Sequence, residues 1–166
     1  MANILEVTGS GREGETAALA AEIWNEYYAE LLGSAQIAYM LDRFQSEEAI
    51  RQEEEDGYRT FWILEDSSET PAGYFMIREN EPEGKLFLSK LYVRTASRGK
   101  GLSRPVFDLL RRLAQEAGLH TLWLTVNKGN ATLGLYKKYG LRITDSVVTD
   151  IGGGYVMDDY IMEMPL

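Results

Sequence analysis

Cysteine is absent from the 166 residues, and histidine occurs once, at His120. Without cysteine the chain has no disulfide, no thiolate metal site and no thiol nucleophile. A single histidine excludes a multi-histidine metal centre, and any serine-histidine triad would have to use it. Because His120 follows the glycine that ends a predicted helix, we interpret it as a structural or surface residue. We expect no metal site.

Long apolar runs are also missing. No stretch reaches the roughly 18 apolar residues of a membrane span, and residues 1–11 lack the pattern of a signal peptide. We therefore expect no membrane contact and a cytoplasmic location. Hydrophobic residues make up 45% and charged residues 26% of the chain, proportions that are typical of globular proteins. The length predicts a single domain over residues 1–166.

Positive charge is scarce, since the formal net charge is −9. An acidic chain is a poor partner for nucleic acid, which needs a basic face. The charge is also unevenly distributed: residues 45–83 hold twelve acids against three arginines, whereas residues 85–107 hold six bases and no acid. The basic segment predicts contact with an anion. The acidic run Glu53–Asp56 is either a solvated helix end or a surface that attracts a cationic amine.

Hydrophobic periodicity gives the order of the secondary structure. We predict strands at 3–7, 58–64, 72–78, 86–93, 121–126, 141–148 and 155–164. Helices are predicted at 16–32, 34–44, 46–55, 102–117 and 131–139. The strands at 86–93 and 121–126 are apolar enough to be buried on both faces, and a polar turn at 65–71 joins a hairpin. This order predicts an α/β domain with a mixed sheet.

The segment Val93–Ser103 has the features of a phosphate site. A strand ends, a loop with Gly99 and Gly101 follows, and a helix begins. Glycines let the backbone approach an anion, and the first turn of a helix offers unpaired N–H groups. The loop is not a Walker A loop, because no Gly-Lys-Ser/Thr closes it. It is not a dinucleotide fingerprint either, because Arg104 fills the third glycine position.

The same residues resemble a known family. Leu91-Tyr92-Val93 followed by Arg98-x-x-Gly101-x-Ser103 is similar to the acyl-CoA-binding motif of the GNAT superfamily, Gln/Arg-x-x-Gly-x-Gly/Ala, with Ser103 at the Gly/Ala position. The resemblance implies that the backbone of Leu91 and Val93 pairs with the pantetheine arm of acetyl-CoA. It also implies that amides of the loop bind the pyrophosphate; these residues are Arg98, Gly99, Lys100, Gly101, Leu102 and Ser103.

A second block supports the resemblance. The strand 122–127 is followed by Asn130 and then by Tyr136-Lys137-Lys138-Tyr139-Gly140-Leu141, which is similar to the family's strand, Asn, and helix ending in Tyr-x-x-x-Gly-Phe. The resemblance implies that Asn130 contacts the cofactor and that Tyr136 lies near the thioester sulfur. The tail 158–164 also resembles that of polyamine acetyltransferases. The implied fold is a mixed, mostly antiparallel sheet of six to seven strands flanked by about four helices.

The implied reaction is direct transfer of an acetyl group from acetyl-CoA to an amine. We assign the backbone N–H of Val93 to the thioester carbonyl and the phenol of Tyr136 to the leaving thiolate. A general base is not evident, because the strand 86–93 has no carboxylate. Glu65, Glu83 and Asp159 remain candidates acting through water, and the amine could also arrive already neutral.

Three functions compete. The first is N-acetyltransfer to a small polyamine-like molecule or to a peptide amine. The second is a non-catalytic acyl-CoA-binding module, which turnover of any amine would exclude. The third is a nucleotide-binding protein of another fold, which would prefer ATP or NAD to acetyl-CoA. A homodimer is an expectation by analogy with relatives, and the acceptor itself is not encoded in any motif.

Overall fold

The computed structural model describes residues 3–65 and 70–166. Within these ranges the strands are β1 (Asn3–Glu6), β2 (Arg59–Leu64), β3 (Pro71–Glu79), β4 (Lys85–Val93), β5 (Thr121–Asn127), β6 (Arg142–Gly152) and β7 (Tyr155–Pro165). The α-helices are α1 (Glu13–Tyr27), α2 (Ala29–Leu32), α3 (Ser34–Phe44), α4 (Glu47–Glu55), α5 (Ser103–Glu116) and α6 (Leu133–Lys138). None of these helices has the length and apolar character needed to cross a bilayer.

Hydrogen-bonded strands follow the order β1-β2-β3-β4-β5-β7-β6. The pairing of β4 with β5 is parallel, whereas β1–β2, β2–β3, β5–β7 and β6–β7 are antiparallel. The predicted α/β class, the mixed sheet and the β2–β3 hairpin are confirmed. The predicted turn of that hairpin falls largely on residues 66–69, which lie outside the described residues.

The predicted helix 16–32 is wrong in two respects, because α1 begins earlier, at Glu13, and the chain forms two helices that meet at Tyr28. The ring of Tyr28 lies 4.5 Å from that of Trp24 and 4.8 Å from that of Tyr27. The helical periodicity of the sequence continues through Tyr28, and aromatic packing accompanies the break between the two helices there. Farther on, α3 has the predicted bounds, and α4 begins after Ser46, whose Oγ accepts a hydrogen bond from the Ala49 amide at 3.1 Å. This N-cap satisfies a backbone donor at the start of α4.

Tertiary contacts divide the chain into two compact units. The first unit comprises Met1–Ile77 and Lys90–Val106. In it, α1 packs against α3 and α4. These three helices each contribute a fully buried isoleucine, at Ile23, Ile37 and Ile50. The first unit also contains the loop between β4 and α5.

The second unit comprises Arg78–Ser89 and Phe107–Leu166. Its part of α5 buries Phe107, Leu110 and Ala114. The prediction that two strands are buried on both faces is wrong, because burial alternates along β4 up to Lys90 and along β5. On the less buried face of β5, Trp123 stacks on Phe87 with ring centroids 4.2 Å apart. Stacking with a neighbouring ring therefore accommodates these apolar residues on a face that is not fully buried.

Candidate active site

The loop that follows β4 contains two glycines with left-handed backbone geometry. After a 3-10 turn at Thr95–Ser97, Gly99 has φ of 76° and Gly101 has φ of 73°. A Cβ added at either glycine would meet no atom within 4 Å. Backbone conformation, not crowding, therefore requires glycine here. The amides of this segment lead into the first turn of α5, which contains no acidic residue, and that arrangement suits an anion.

The end of β4 is fixed against β3 inside the first unit. The Arg94 amide donates to the Ala72 carbonyl at 2.8 Å, and the Arg94 Nε donates to the Pro71 carbonyl at 3.0 Å. A Cβ added to Gly73 would clash with the carbonyl oxygen of Tyr92. The absent side chain at Gly73 thus permits a close approach of the two strands. This approach sets the position of Val93, the predicted oxyanion donor, which is half-buried like Leu91.

The basic segment is less available to an anion than its sequence suggests. Four of its cations form ion pairs with carboxylates that are distant in sequence: Lys85 with Glu163 at 2.8 Å, Lys90 with Glu53 at 2.6 Å, Arg94 with Glu22 at 2.6 Å, and Lys100 with Glu65 at 3.5 Å. These long-range ion pairs neutralise much of the positive charge of the segment. Contact of the segment with an anion stays a prediction.

Arg98, the first residue of the motif, is also held in place. Its guanidinium carbon lies 3.9 Å from the ring centroid of Tyr27, and its Nε donates to the Val93 carbonyl at 3.2 Å. A cation over an aromatic face keeps its charge while losing conformational freedom. Arg98 is thus oriented by α1 and by the end of β4. Of the remaining motif residues, Leu102 is buried, Ser103 is half-buried, and Gly99, Lys100 and Gly101 are exposed.

A buried polar cluster lies beside β4 that the sequence analysis missed. Lys90 is only 7% exposed, and its Nζ donates to Glu53 Oε1 and, at 2.7 Å, to the Phe44 carbonyl. Burial lowers the pKa of Lys90, while the Glu53 carboxylate opposes that shift. Next to this pair, the fully buried Tyr74 donates to Gln45 Oε1 at 2.5 Å, and burial raises the pKa of Tyr74. The two-residue period of β4 is the sequence signal that could have indicated the burial of Lys90.

Aromatic side chains from α1, from the residue after it and from β3 surround Tyr92, the neighbour of Val93. The ring of Tyr92 lies 5.5 Å from Trp24, 6.5 Å from Tyr28 and 5.6 Å from Tyr74. Trp24, Tyr28 and Tyr74 are buried and Tyr92 is half-buried. These three buried rings belong to the core, and Tyr92 presents an aromatic surface at the end of β4.

In the second unit, the residues after β5 form a tight turn. Asn127 Oδ1 accepts from the Gly129 amide at 2.9 Å. Asn130 Oδ1 accepts from both the amide and the hydroxyl of Thr132, at 2.9 and 2.7 Å. The side-chain amide oxygen of Asn130 therefore holds the turn that precedes α6. Its contact with a cofactor stays a prediction.

Tyr136 belongs to the short helix α6 in this second unit. It is 7% exposed. Its ring centroid lies 6.1 Å from that of Phe107, on α5 of the same unit. Packing between aromatic rings fixes the direction of a phenol and leaves its hydroxyl as the only polar group of the side chain. The role of Tyr136 as a proton donor remains a prediction.

The three candidate bases differ in their surroundings. Glu83 is exposed. Glu65 is 31% exposed and forms the ion pair with Lys100. Asp159 is 4% exposed, and its Oδ1 has no hydrogen-bond partner among the described residues. His120, as expected, is exposed; its Nδ1 lies 2.8 Å from the Thr121 hydroxyl, and its backbone bonds to Gly84 and Leu166.

Residues 19–141, more than half of the chain, match the sequence model of the acetyltransferase (GNAT) family. The chain belongs to this family, and the resemblance drawn from the two motifs is confirmed. Acetyl transfer is accordingly its general activity. No curated protein sequence matches the chain significantly.

Solved structures show the same fold. A PaiA N-acetyltransferase from Thermoplasma acidophilum, in complex with coenzyme A, is similar with a TM-score of 0.82 and 19% identity, covering 100% of this chain and 99% of that one. A GCN5-related N-acetyltransferase from Rhodopseudomonas palustris has a TM-score of 0.80 and 15% identity, covering 99% and 95%. The ribosomal-protein-S18-alanine N-acetyltransferase from Escherichia coli has a TM-score of 0.69 and 19% identity, covering 99% and 94%. At these identities the likeness concerns the fold.

Proposed function

We propose that this protein transfers an acetyl group from acetyl-CoA directly to the primary amine of a small polyamine-like molecule or of a peptide. The observation that carries the proposal is the glycine loop between β4 and α5. Its two glycines with positive φ angles lie directly before the start of α5, and backbone amides at such a helix start suit a pyrophosphate. The family match supports the same ligand.

The residues of the first unit fit acetyl-CoA as the motif implies. We assign the pyrophosphate to the amides from Arg98 to Ser103 and the pantetheine arm to the backbone of Leu91 and Val93. The Val93 N–H is assigned to the thioester carbonyl, where a backbone donor stabilises the negative charge that develops during transfer. Since Arg94 and Gly73 fix the end of β4, this donor is positioned before the cosubstrate binds.

Two assignments lie in the second unit. Asn130 is assigned to the cofactor, and Tyr136 is assigned as the acid that protonates the departing thiolate. Both follow from the second family block. The burial of the Tyr136 ring supports its role as an acid, because a phenol held by packing keeps one orientation.

The acceptor class rests on charge and on the tail. A net charge of −9 favours cationic amines over anionic or nucleic-acid acceptors, and the tail 158–164 resembles that of polyamine acetyltransferases. A peptide amine is the second class, in keeping with the acceptor named for the Escherichia coli neighbour. Release of CoA thiol in a screen of polyamines and peptides would separate the two classes.

The first experiment is calorimetric titration with acetyl-CoA, ATP and NAD. We expect micromolar binding of acetyl-CoA alone. Gly101→Glu should abolish it, because the substitution places a carboxylate among the proposed pyrophosphate donors. The matched control is Gly101→Gln, which imposes the same backbone strain at positive φ without the charge and should bind more tightly than Gly101→Glu. Preferential binding of ATP or NAD, or equal binding by both variants, would contradict the proposed site.

Catalysis itself is tested separately from binding. A protein that binds acetyl-CoA but turns over no amine in the screen is a non-catalytic acyl-CoA-binding module, the alternative function. We also propose a single cooperative domain over residues 1–166, which one coincident unfolding transition by two probes would support. A homodimer is proposed by analogy with relatives, and sedimentation at micromolar concentration tests it.

A further inference from the structure

A buried carboxyl group in the second unit has one oxygen without a hydrogen-bond partner among the described residues. Asp159 is 4% exposed, and its Oδ1 accepts no hydrogen bond from any described residue. Buried polar atoms are almost always paired, because leaving one unpaired loses its hydration without compensation. An aspartate that is buried with an unpaired oxygen therefore indicates a functional role that a neutral residue would not fill.

The strand pairing places Asp159 at the end of β5. It lies opposite Asn127, the last residue of β5, and opposite Val147 of β6. Asn127 begins the turn that leads through Asn130 to α6. Asp159 therefore belongs to the same unit, and to the same strand end, as the residues of the second family block.

Lys128, a cation that acts electrostatically on Asp159, forms its ion pair with a different carboxylate. Lys128 Nζ pairs with Asp158 at 2.8 Å and lies 5.3 Å from the ring centroid of Tyr160. Burial raises the pKa of Asp159, the Asp158 carboxylate adds to the increase, and Lys128 opposes it. On the facing strands, the residues opposite Asp159 are uncharged. A carboxylate with a raised pKa binds a proton more readily near neutral pH than an ordinary aspartate does.

We propose that Asp159 is the general base of the acetyl transfer, taking a proton from the acceptor ammonium directly or through one water. The inference rests on the proposed function. It selects one of the three carboxyl groups, since Glu83 is exposed and Glu65 pairs with Lys100.

The proton balance of the reaction is complete with this residue. Asp159 removes one proton from the ammonium, and the neutral nitrogen then forms a bond to the thioester carbon. The carbon–sulfur bond breaks, and the thiolate takes a proton from Tyr136. The second proton lost by the nitrogen restores the Tyr136 phenol. The products are an amide, CoA thiol and one proton that Asp159 releases to water.

The test compares Asp159→Asn with Asp158→Asn in the full chain, with spermidine and a peptide bearing a free N-terminal amine as acceptors. Both substitutions exchange a carboxylate for an amide of equal size, but Asp158 is 52% exposed and pairs with Lys128. For Asp159→Asn we expect kcat/KM at pH 7 to fall by about 100-fold or more, with acetyl-CoA affinity within threefold of wild type. Asp158→Asn should change kcat/KM less than threefold.

The pH profile distinguishes a base from a merely structural residue. Wild-type kcat/KM should lose activity at low pH through a group that titrates above the usual range of aspartate. Asp159→Asn should lack this limb, and its rate should rise about tenfold per pH unit, because the neutral amine then comes from solution. A variant with the wild-type limb and rate overturns the inference. A wild type that acetylates neither amine, or that does not bind acetyl-CoA, would instead refute the proposed function.

Discussion

The buried ion pair of Lys90 and Glu53 allows a quantitative prediction about stability. The Lys90 side chain is 7% exposed and the Glu53 side chain 25%. Glu53→Gln leaves a buried ammonium whose remaining partner is the Phe44 carbonyl. Removal of one member of a buried pair costs about 3–5 kcal/mol, because the other charge is left uncompensated. We expect this variant to be strongly destabilised.

The cost has an upper limit set by proton loss. Lys90 can escape the unpaired state by releasing its proton, and doing so at pH 7 costs about 4.6 kcal/mol, from a reference pKa near 10.4 and 1.36 kcal/mol per unit. The expected loss in unfolding free energy is therefore about 3–4.6 kcal/mol. Lys90→Met should cost less, about 1–3 kcal/mol, because Glu53 is partly exposed and can be hydrated.

The assay is urea unfolding at pH 7 and pH 9.5. The folded-state pKa of Lys90 is lowered, and Glu53→Gln lowers it further. The unfolded chain then binds more protons than the folded chain, so unfolding free energy rises with pH up to the unfolded pKa. The deficit of Glu53→Gln should thus shrink at pH 9.5.

The matched control is Glu47→Gln on the same helix. Glu47 pairs with Arg51, but both side chains are about half exposed, so the loss should stay below about 1 kcal/mol. The reasoning fails if Glu53→Gln costs no more than Glu47→Gln, or if its deficit grows between pH 7 and pH 9.5.

Three further predictions concern single residues. Gly73→Ala should lower kcat more than tenfold by displacing the end of β4, whereas Gly134→Ala, whose Cβ meets nothing within 4 Å, should leave kcat unchanged and stabilise α6 by about 0.5–1 kcal/mol; steady-state kinetics and thermal melting check both. Tyr136→Phe should reduce kcat by about 100-fold with acetyl-CoA affinity unchanged, and equal kcat would remove its role as acid. Thr16→Val should cost about 1–3 kcal/mol in urea unfolding, because Trp62 Nε1 loses its buried acceptor at 2.9 Å; an unchanged midpoint would contradict this.

Local sequence signals were sufficient for much of the fold. The bounds of α3, the β2–β3 hairpin and the positions of the glycines after β4 follow from periodicity and turn chemistry within about ten residues. These features depend on backbone conformation and on short-range hydrogen bonds, which are set by residues close together in the sequence. The two family motifs are of the same kind, and they identified the family from residues 91–141.

Ion pairs between residues that are distant in sequence could not be predicted from such local signals. The basic segment appeared cationic because the carboxylates that neutralise it, including Glu22, Glu53 and Glu163, come from distant parts of the chain. Burial on two faces was overpredicted for β4 and β5, since an apolar residue such as Trp123 can be accommodated by stacking on one neighbour.

The sequence by itself determined the class of protein, the order of elements and the residues of the glycine loop, because each depends on interactions between near neighbours. Only the tertiary structure decided which charges remain unpaired. Asp159 and Lys90 are both ordinary ionisable residues in the sequence, yet one lacks a partner for a buried oxygen and the other is buried against Glu53. Desolvation and pairing energies depend on what surrounds a charge in space, and the order of residues does not contain that information.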